Sequence, residues 1–430
     1  MSAEKSGVVP TIDHKPHAAF FRQSGWLMLA NIAGGAMTWG VHFLSKSIPE
    51  AQYAAFGTLL MVVGCLPTMP LQMIFAQQTA QALATGRERQ LAGMIRIVWL
   101  WTFIVWLMGA LAIFIFQKQI VTGWQLPSAA GLLVTLPLVL LSLWLPMFSG
   151  VLQGRQDFFW MGWASILAGV VRFAAAVILV LALALGAAGM MTGALIGIGL
   201  GAAIAIWRTR DLWLGRAEAF DGKKLLRQIT PLLFGFGACQ FMFTADTMYA
   251  KAYFTGDEMA PYVAAGTLSR ALLWLVLPLA AVMFPKIVHA AAKSEKSNLF
   301  NLVVLGTAVL AVCGGMGLWL FGPIVVKIVY TTNYVAATSA LIPWYALAMV
   351  PLALANVMVN DLLARNKFGV VPFMVVVVVG YGFTLPVMLN HYHRLEVVLQ
   401  TLGAFNLLLF LVCAWFTWGW KGKTKMADGK

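Results

Sequence analysis

Three charged residues stand inside otherwise apolar runs: Arg172 in ASILAGVVRFAAAV, Asp246 in MFTADTMY and Arg270 in AAGTLSRALLW. An ionisable group near the centre of a bilayer costs at least ~2.5–3.5 kcal/mol, so it faces a cavity or a partner. A guanidinium kept from water seeks an anion, and its planar fork can hold two phosphate oxygens at once. A carboxylate in the same setting holds a cation or neutralises an arginine. Asp246 and Arg270 each lie about eight residues, ~12 Å at 1.5 Å per residue, from the same end of consecutive antiparallel spans. Two readings follow. The residues form a structural pair, or Arg270 binds a substrate anion while Asp246 gates or carries a coupling cation.

Arg172 has no acidic residue at similar depth in its half of the chain, so it reads as a cavity cation or as a donor to backbone carbonyls. His42 is either a satisfied interior histidine or a proton site for gating or ion coupling. Asn31, Thr38, Gln72, Gln77, Gln78, Gln240, Asn356 and Asn360 are candidates to line a cavity or to bond between helices.

Other chemistries find little footing. Cys65, Cys239, Cys313 and Cys413 all sit in apolar runs and form no CxxC pair, which gives neither a zinc site nor a disulfide framework. No GxxxxGK[ST] sequence exists to bind ATP, and no cofactor is implied. His391-Tyr392-His393 is a loop pair with little to hold a metal, and no Ser/His/Asp grouping forms a catalytic site. Gly193, Gly197 and Gly201 recur every four residues as a helix-packing seam.

The elements that must position these residues are membrane spans. The chain has 430 residues, of which 61% are hydrophobic and only 10% charged, with mean hydropathy +0.84. Soluble proteins carry about 25% charge, so a soluble globular enzyme is excluded. Apolar runs bounded by charge, Pro or Gly predict twelve helices: 24–44, 54–78, 95–116, 129–150, 161–184, 187–207, 231–254, 262–289, 299–320, 338–359, 370–389 and 396–419. The fold class is therefore all-α and polytopic.

The net charge of +14 is distributed by side rather than gathered for nucleic acid. Lys and Arg number 22 in the termini and alternate loops, against five (Lys46, Lys118, Lys251, Lys327 and Arg394) on the other side. The positive-inside rule then puts both termini in the cytosol. The expected organisation is a cytosolic tail over 1–23, a first lobe over 24–207, a linker over 208–230, a second lobe over 231–419 and a basic tail over 420–430. The linker ends in an amphipathic Lys223-Lys224-Leu225-Leu226-Arg227. Many of the 17 Trp lie near span ends, as in an interfacial belt.

An internal repeat underlies the two lobes. YAAFGTL at Tyr53–Leu59 matches YVAAGTL at Tyr262–Leu268, an offset of 209 residues that also relates Phe75 to Phe284. At offset 210, LQGRQDF at Leu152–Phe158 meets LLARNKF at Leu362–Phe368, and Gly193 meets Gly403. Six spans per repeat is an even number, so the halves run parallel, with a site expected between them near the midplane.

Ile48-Pro49-Glu50-Ala51-Gln52-Tyr53-Ala54-Ala55-Phe56, Leu152-Gln153-Gly154-Arg155, and Tyr262–Gly266 followed by Arg270 and Met283-Phe284-Pro285-Lys286 resemble segments of the bacterial polysaccharide flippases of the multidrug/oligosaccharidyl-lipid/polysaccharide exporter superfamily. The resemblance implies a flippase carrying undecaprenyl-pyrophosphate-linked oligosaccharide across the bacterial cytoplasmic membrane by alternating access. It implies Arg172 and Arg270 as cavity cations for the pyrophosphate. Its expected associates are membrane lipids, H+ or Na+ as coupling ion, and the polysaccharide polymerase and glycosyltransferases of the same route.

The count of twelve, against fourteen in peptidoglycan-precursor flippases, points away from that branch. The drug-exporting branch commonly has an acid in its first helix; here that helix has none, and a cation-coupled multidrug antiporter is the alternative. The loop Thr85-Gly86-Arg87-Glu88-Arg89 lacks the major facilitator signature, and the outer loops are too short and poorly charged for a polymerase or ligase.

Overall fold

The computed structural model describes residues 15–66, 68–219, 222–273, 299–330, 332–365 and 367–419, which are helical without a strand. The first half contains α1 (Lys15–Gly40), α2 (Glu50–Gly64), α3 (Thr68–Thr85), α4 (Glu88–Ile115), α5 (Gln117–Gly123), α6 (Ala129–Gly154), α7 (Phe158–Val177), α8 (Gly186–Arg208) and α9 (Arg210–Leu214). The second contains α10 (Gly222–Tyr253), α11 (256–273), α12 (Leu299–Val329), α13 (Tyr334–Ala364), α14 (Val371–Tyr392) and α15 (Leu395–Ala414). Among the described residues, nine segments are long and apolar enough to cross a membrane. The protein is a multi-pass, all-helical membrane protein.

Each expected span falls on a helix, except that 274–289 of the eighth, like the basic tail 420–430, lies outside the described residues. Boundaries differ in three places. The second span is two helices, α2 and α3, parted at Cys65–Leu66 immediately before Pro67, because a residue preceding proline is pushed out of the helical region. By contrast Pro137, Pro146, Pro231 and Pro323 remain inside helices, where packed neighbours can satisfy freed carbonyls. α10 begins at Gly222 rather than 231, so the amphipathic segment forms the first turns of that helix. α1 likewise begins at Lys15, inside the expected tail.

Within the first half α1 packs on α7, α7 on α8, and α6 on both α8 and α3. Within the second, α12 packs on α13, α13 on α15, and α14 on both α15 and α10, while α10 also meets α2 and α3. The glycine seam makes the α7–α8 contact close: a Cβ at Gly197 would collide with the Ala168 carbonyl and the Arg172 Cβ. α4 is buried only over Leu91–Ile95, and the rest of its length is sheathed in exposed apolar side chains.

Two apolar cores result. The larger joins the second half to the ends of first-half helices around Val41, Tyr53–Leu59, Leu132, Ala176 and Ala187–Ala194. The smaller, with Leu71, Phe75, Met94, Phe148, Leu152 and Leu212, belongs to the first half near the 209–221 linker and takes in Ile229 at the start of α10. The halves therefore share a core at the end distal to the linker, and the first half keeps a core of its own at the linker end.

Candidate functional site

Asp246 on α10 and Arg270 on α11 meet. Arg270 Nη2 donates to both Asp246 oxygens, at 2.7 and 2.9 Å, with side chains 4% and 0% exposed. The same nitrogen reaches Thr247 Oγ1 at 2.8 Å and the Tyr345 hydroxyl at 3.0 Å, and Nε donates to the Phe243 carbonyl at 2.8 Å. Tyr262 donates to Asp246 Oδ2 at 2.8 Å and Tyr345 donates to the same oxygen. The guanidinium also lies over the rings of Phe243 and Tyr345 at 5.6 and 5.3 Å. Both charges are thus neutralised and bonded within one cluster, the condition under which a buried ion pair is tolerable.

Arg172 differs. It is buried on α7, its Nε has no hydrogen-bond partner, and it makes no ion pair among the described residues. Its backbone and Cβ rest on Gly193 and Gly197 of α8, which fixes the root of the side chain. α7 also packs against the turn Val41–Ser47, with Phe173 beside Gly40, and that turn carries His42.

His42 is buried, and its Nδ1 is 2.8 Å from the Tyr53 hydroxyl, which is 3.1 Å from that of Tyr330. Tyr330 stacks on Tyr334 at 6.0 Å, so the string runs from the first half into the second. The proposed lining residues are scattered. Asn31 is exposed, Thr38 and Gln240 are half-buried, Gln72 bonds Gln153 at 3.1 Å, and Asn356 Oδ1 accepts from Asn360 at 2.8 Å. Gln77 is exposed and Gln78 half-buried.

Tyr262, Tyr345, Thr247, Tyr330 and the lysines Lys46 and Lys251 did not stand out in the sequence. Tyr53 and Tyr262 carried a usable signal: each opens a matched repeat segment, and each hydroxyl bonds a polar side chain from just earlier in the chain, His42 of the turn after α1 and Asp246 of α10.

With the geometry in hand, the relatives decide the family. The family described as "Lipid II flippase MurJ" matches residues 74–418. The chain belongs to the MurJ family of flippases. Among solved structures it is similar to a MATE-family multidrug resistance transporter of the MOP superfamily in an inward-facing conformation, at 12% identity over 90% of this chain and 93% of that one, TM-score 0.72. It is similar too to the lipid II flippase MurJ in its inward closed conformation, at 14% identity over 91% and 87%, TM-score 0.66. A MATE transporter in a straight conformation gives 13% identity, 92% coverage of each chain and TM-score 0.59. These likenesses show the fold. No curated protein matches in sequence. The MurJ match corrects the inference that a count of twelve spans separates the chain from the lipid II flippases: span number did not predict family. The enzyme reading finds no support, since the family is one of transporters.

Proposed function

We propose that this MurJ-family protein flips a polyprenyl-pyrophosphate-linked oligosaccharide from the inner to the outer leaflet of a bacterial cytoplasmic membrane. Two lobes, 24–207 and the helices from α10 onward, alternate between opening at the linker end and opening at the distal end, and both termini lie in the cytosol. The linker end is then the cytosolic mouth and the distal end the outer one. The observation that carries the reading is Arg172, a buried cation without a carboxylate partner among the described residues, on a helix that packs beside the His42 turn. A doubly anionic pyrophosphate supplies the missing counter-charge, and the guanidinium fork suits its oxygens. The inside-negative potential assists outward movement of each negative charge by up to ~2.3 kcal/mol per 100 mV.

A cation-coupled drug antiporter would need a free acid within the bundle. The buried carboxylates among the described residues, Asp246 and Asp361, are both ion-paired, to Arg270 and Arg365. His42 is the residue left for proton coupling, and Arg270 contributes its field rather than a vacant fork.

The test is reconstitution in liposomes with fluorescent undecaprenyl-pyrophosphate oligosaccharide, and in parallel lipid II, on one leaflet. Protein-dependent flipping that falls at least about tenfold in Arg172→Ala is expected, since a hydrogen bond to a charged group is worth ~1.5–3 kcal/mol. Full transport by Arg172→Lys would refute bidentate recognition. Export of organic cations without lipid flipping would refute the substrate class.

A further inference from the structure

The distal end of the bundle is closed by polar contacts that come as a reciprocal pair. Lys46, in the turn after α1, donates from Nζ to the Ile328 carbonyl at 2.6 Å. That carbonyl belongs to the last turn of α12, where carbonyls lack helical partners and the helix dipole presents its negative end. Lys251, in the last turn of α10 and with no exposed surface, donates to the Gln125 carbonyl at 3.4 Å. Gln125 lies in the turn between α5 and α6 and holds φ +46, a conformation that turns its peptide out of the helical path.

The two contacts join corresponding hairpins of the internal repeat in opposite senses, although the lysines are not at equivalent positions: at the offset of 209, Lys46 meets Thr255 and Lys251 meets His42. The hairpin between the first and second spans corresponds to that between the seventh and eighth, and the hairpin between the third and fourth to that between the ninth and tenth. Lys46 reaches from the first of these hairpins to the last. Lys251 reaches from the seventh–eighth hairpin to the third–fourth. At the level of hairpins this is the pattern of a pseudo-two-fold interface, in which each half reaches the other with the same element. Between the lysines lie the matched helices themselves, with Gly57 of α2 against Val263 of α11 and Ala51 against Gly256, and Tyr53 reaching Tyr330 across the same seam.

The choice of partner matters as much as the symmetry. A lysine bound to a neutral carbonyl can exchange that bond for water when the ends part. A buried salt bridge at the same place would leave two uncompensated charges on opening and would lock the end. Each lysine therefore biases the closed arrangement without making it permanent, which is what a transport cycle needs from a closure.

We propose that Lys46 and Lys251 are reciprocal pins that set the balance between distal-closed and distal-open states; the idea rests on the alternating-access reading given above. Neither residue touches substrate in this account. They are positioning residues whose removal opens the outer end even with no substrate present.

The experiment uses the full chain in nanodiscs, with its four native cysteines replaced by alanine and spin labels at Gln119→Cys on α5 and Glu396→Cys on α15, both exposed. Pulsed dipolar spectroscopy then reports the populations of short and long separations across the distal end. Lys46→Met and Lys251→Met, which keep the apolar stem and remove the donor, are each expected to raise the long-to-short ratio about tenfold, and the double variant about a hundredfold. Lys46→Arg should return the ratio to near that of the parent. Lys118→Met, at an exposed site on α5, should leave it unchanged and controls for loss of distal charge. Ratios within twofold of the parent in both single variants, or an equal shift in Lys118→Met, would overturn the proposal. Pins that shift the populations in a protein that flips no lipid would leave the pins standing and remove the substrate reading. Flipping in a protein whose populations ignore both lysines would do the reverse.

Discussion

Consider the removal of one charge from the Asp246–Arg270 cluster. Arg270→Met keeps most of the side-chain volume but abolishes five hydrogen bonds: two to Asp246, and one each to Thr247, Tyr345 and the Phe243 carbonyl. With Asp246 wholly buried, the carboxylate is left with Tyr262 and Tyr345 as its hydroxyl donors and no counter-charge. Breaking a buried pair from one side costs ~3–5 kcal/mol, chiefly the penalty of the stranded ion. Asp246→Asn strands the guanidinium instead and should cost a similar amount. The double variant Asp246→Asn/Arg270→Met removes both charges while the Asn carbonyl still accepts from the tyrosines. Its cost should be only the lost neutral bonds, about 1–3 kcal/mol. The two single effects would thus over-predict the double by about 6 kcal/mol, far outside the ~0.3–0.5 kcal/mol expected of independent sites. Equilibrium unfolding in mixed micelles measures the cycle, and additivity of the single effects would refute the view that the pair is one structural unit. Flipping by the same double variant separates the roles: recovered transport makes the cluster structural, whereas a stable but inactive double variant means that Arg270 also serves the substrate.

Gly197→Ala should destabilise the protein by about 1–3 kcal/mol in the same unfolding assay, because its Cβ meets the Ala168 carbonyl and Arg172 Cβ; Gly109→Ala, with open space around it, should not. Arg96 donates to the carbonyls of Trp213 and Gly215 at 2.7 and 2.6 Å, so Arg96→Met should release the 209–221 linker and speed its limited proteolysis about tenfold. Tyr262→Phe should cost ~1.5–3 kcal/mol because its hydroxyl serves a carboxylate, and Tyr53→Phe only ~0.5–1.5 kcal/mol because its partners are His42 and Tyr330; the reverse order would contradict the contrast.

The positions of the helices were legible because membrane spans announce themselves by length and apolarity alone. The depth of Asp246 and Arg270 was legible too, since a rise of about 1.5 Å per residue turns sequence distance into height. Height, however, says nothing of azimuth, so the sequence left open whether the two residues face one another. Tyr262 and Tyr345, 83 positions apart in the numbering, reach one carboxylate oxygen only through the packing of three helices. The sequence placed the first turns of α10 in the linker because Lys223, Lys224 and Arg227 resemble a polar boundary, whereas the helix itself runs from Gly222. The α2–α3 break had a signal in Pro67, but proline alone does not decide, as Pro137 and Pro146 inside α6 show. Lys46 and Lys251 were counted only as stray charges on the sparse side, because a lysine's acceptor, when it is a backbone carbonyl, leaves no trace in composition.

The repeat makes the halves similar in path, yet their polar chemistry has diverged at equivalent positions. Tyr53 and Tyr262 occupy the same place in YAAFGTL and YVAAGTL, and both are fully buried. In the second half the tyrosine serves a carboxylate already matched by an arginine, a closed and neutral unit. In the first half it joins a titratable ring to a tyrosine of the other half, on a turn packed against the helix that carries an arginine with no ion-pair partner among the described residues. The two buried arginines therefore differ: Arg270 of the second half is matched by a carboxylate, and Arg172 of the first half has none among the described residues. On the proposed reading, a substrate anion entering between the halves would find a counter-charge at Arg172. The proposed distal pins and the unequal pairing of the two arginines are compatible with one duplicated chain, because helix paths are set by apolar pattern and polar chemistry by a few residues that the pattern does not constrain.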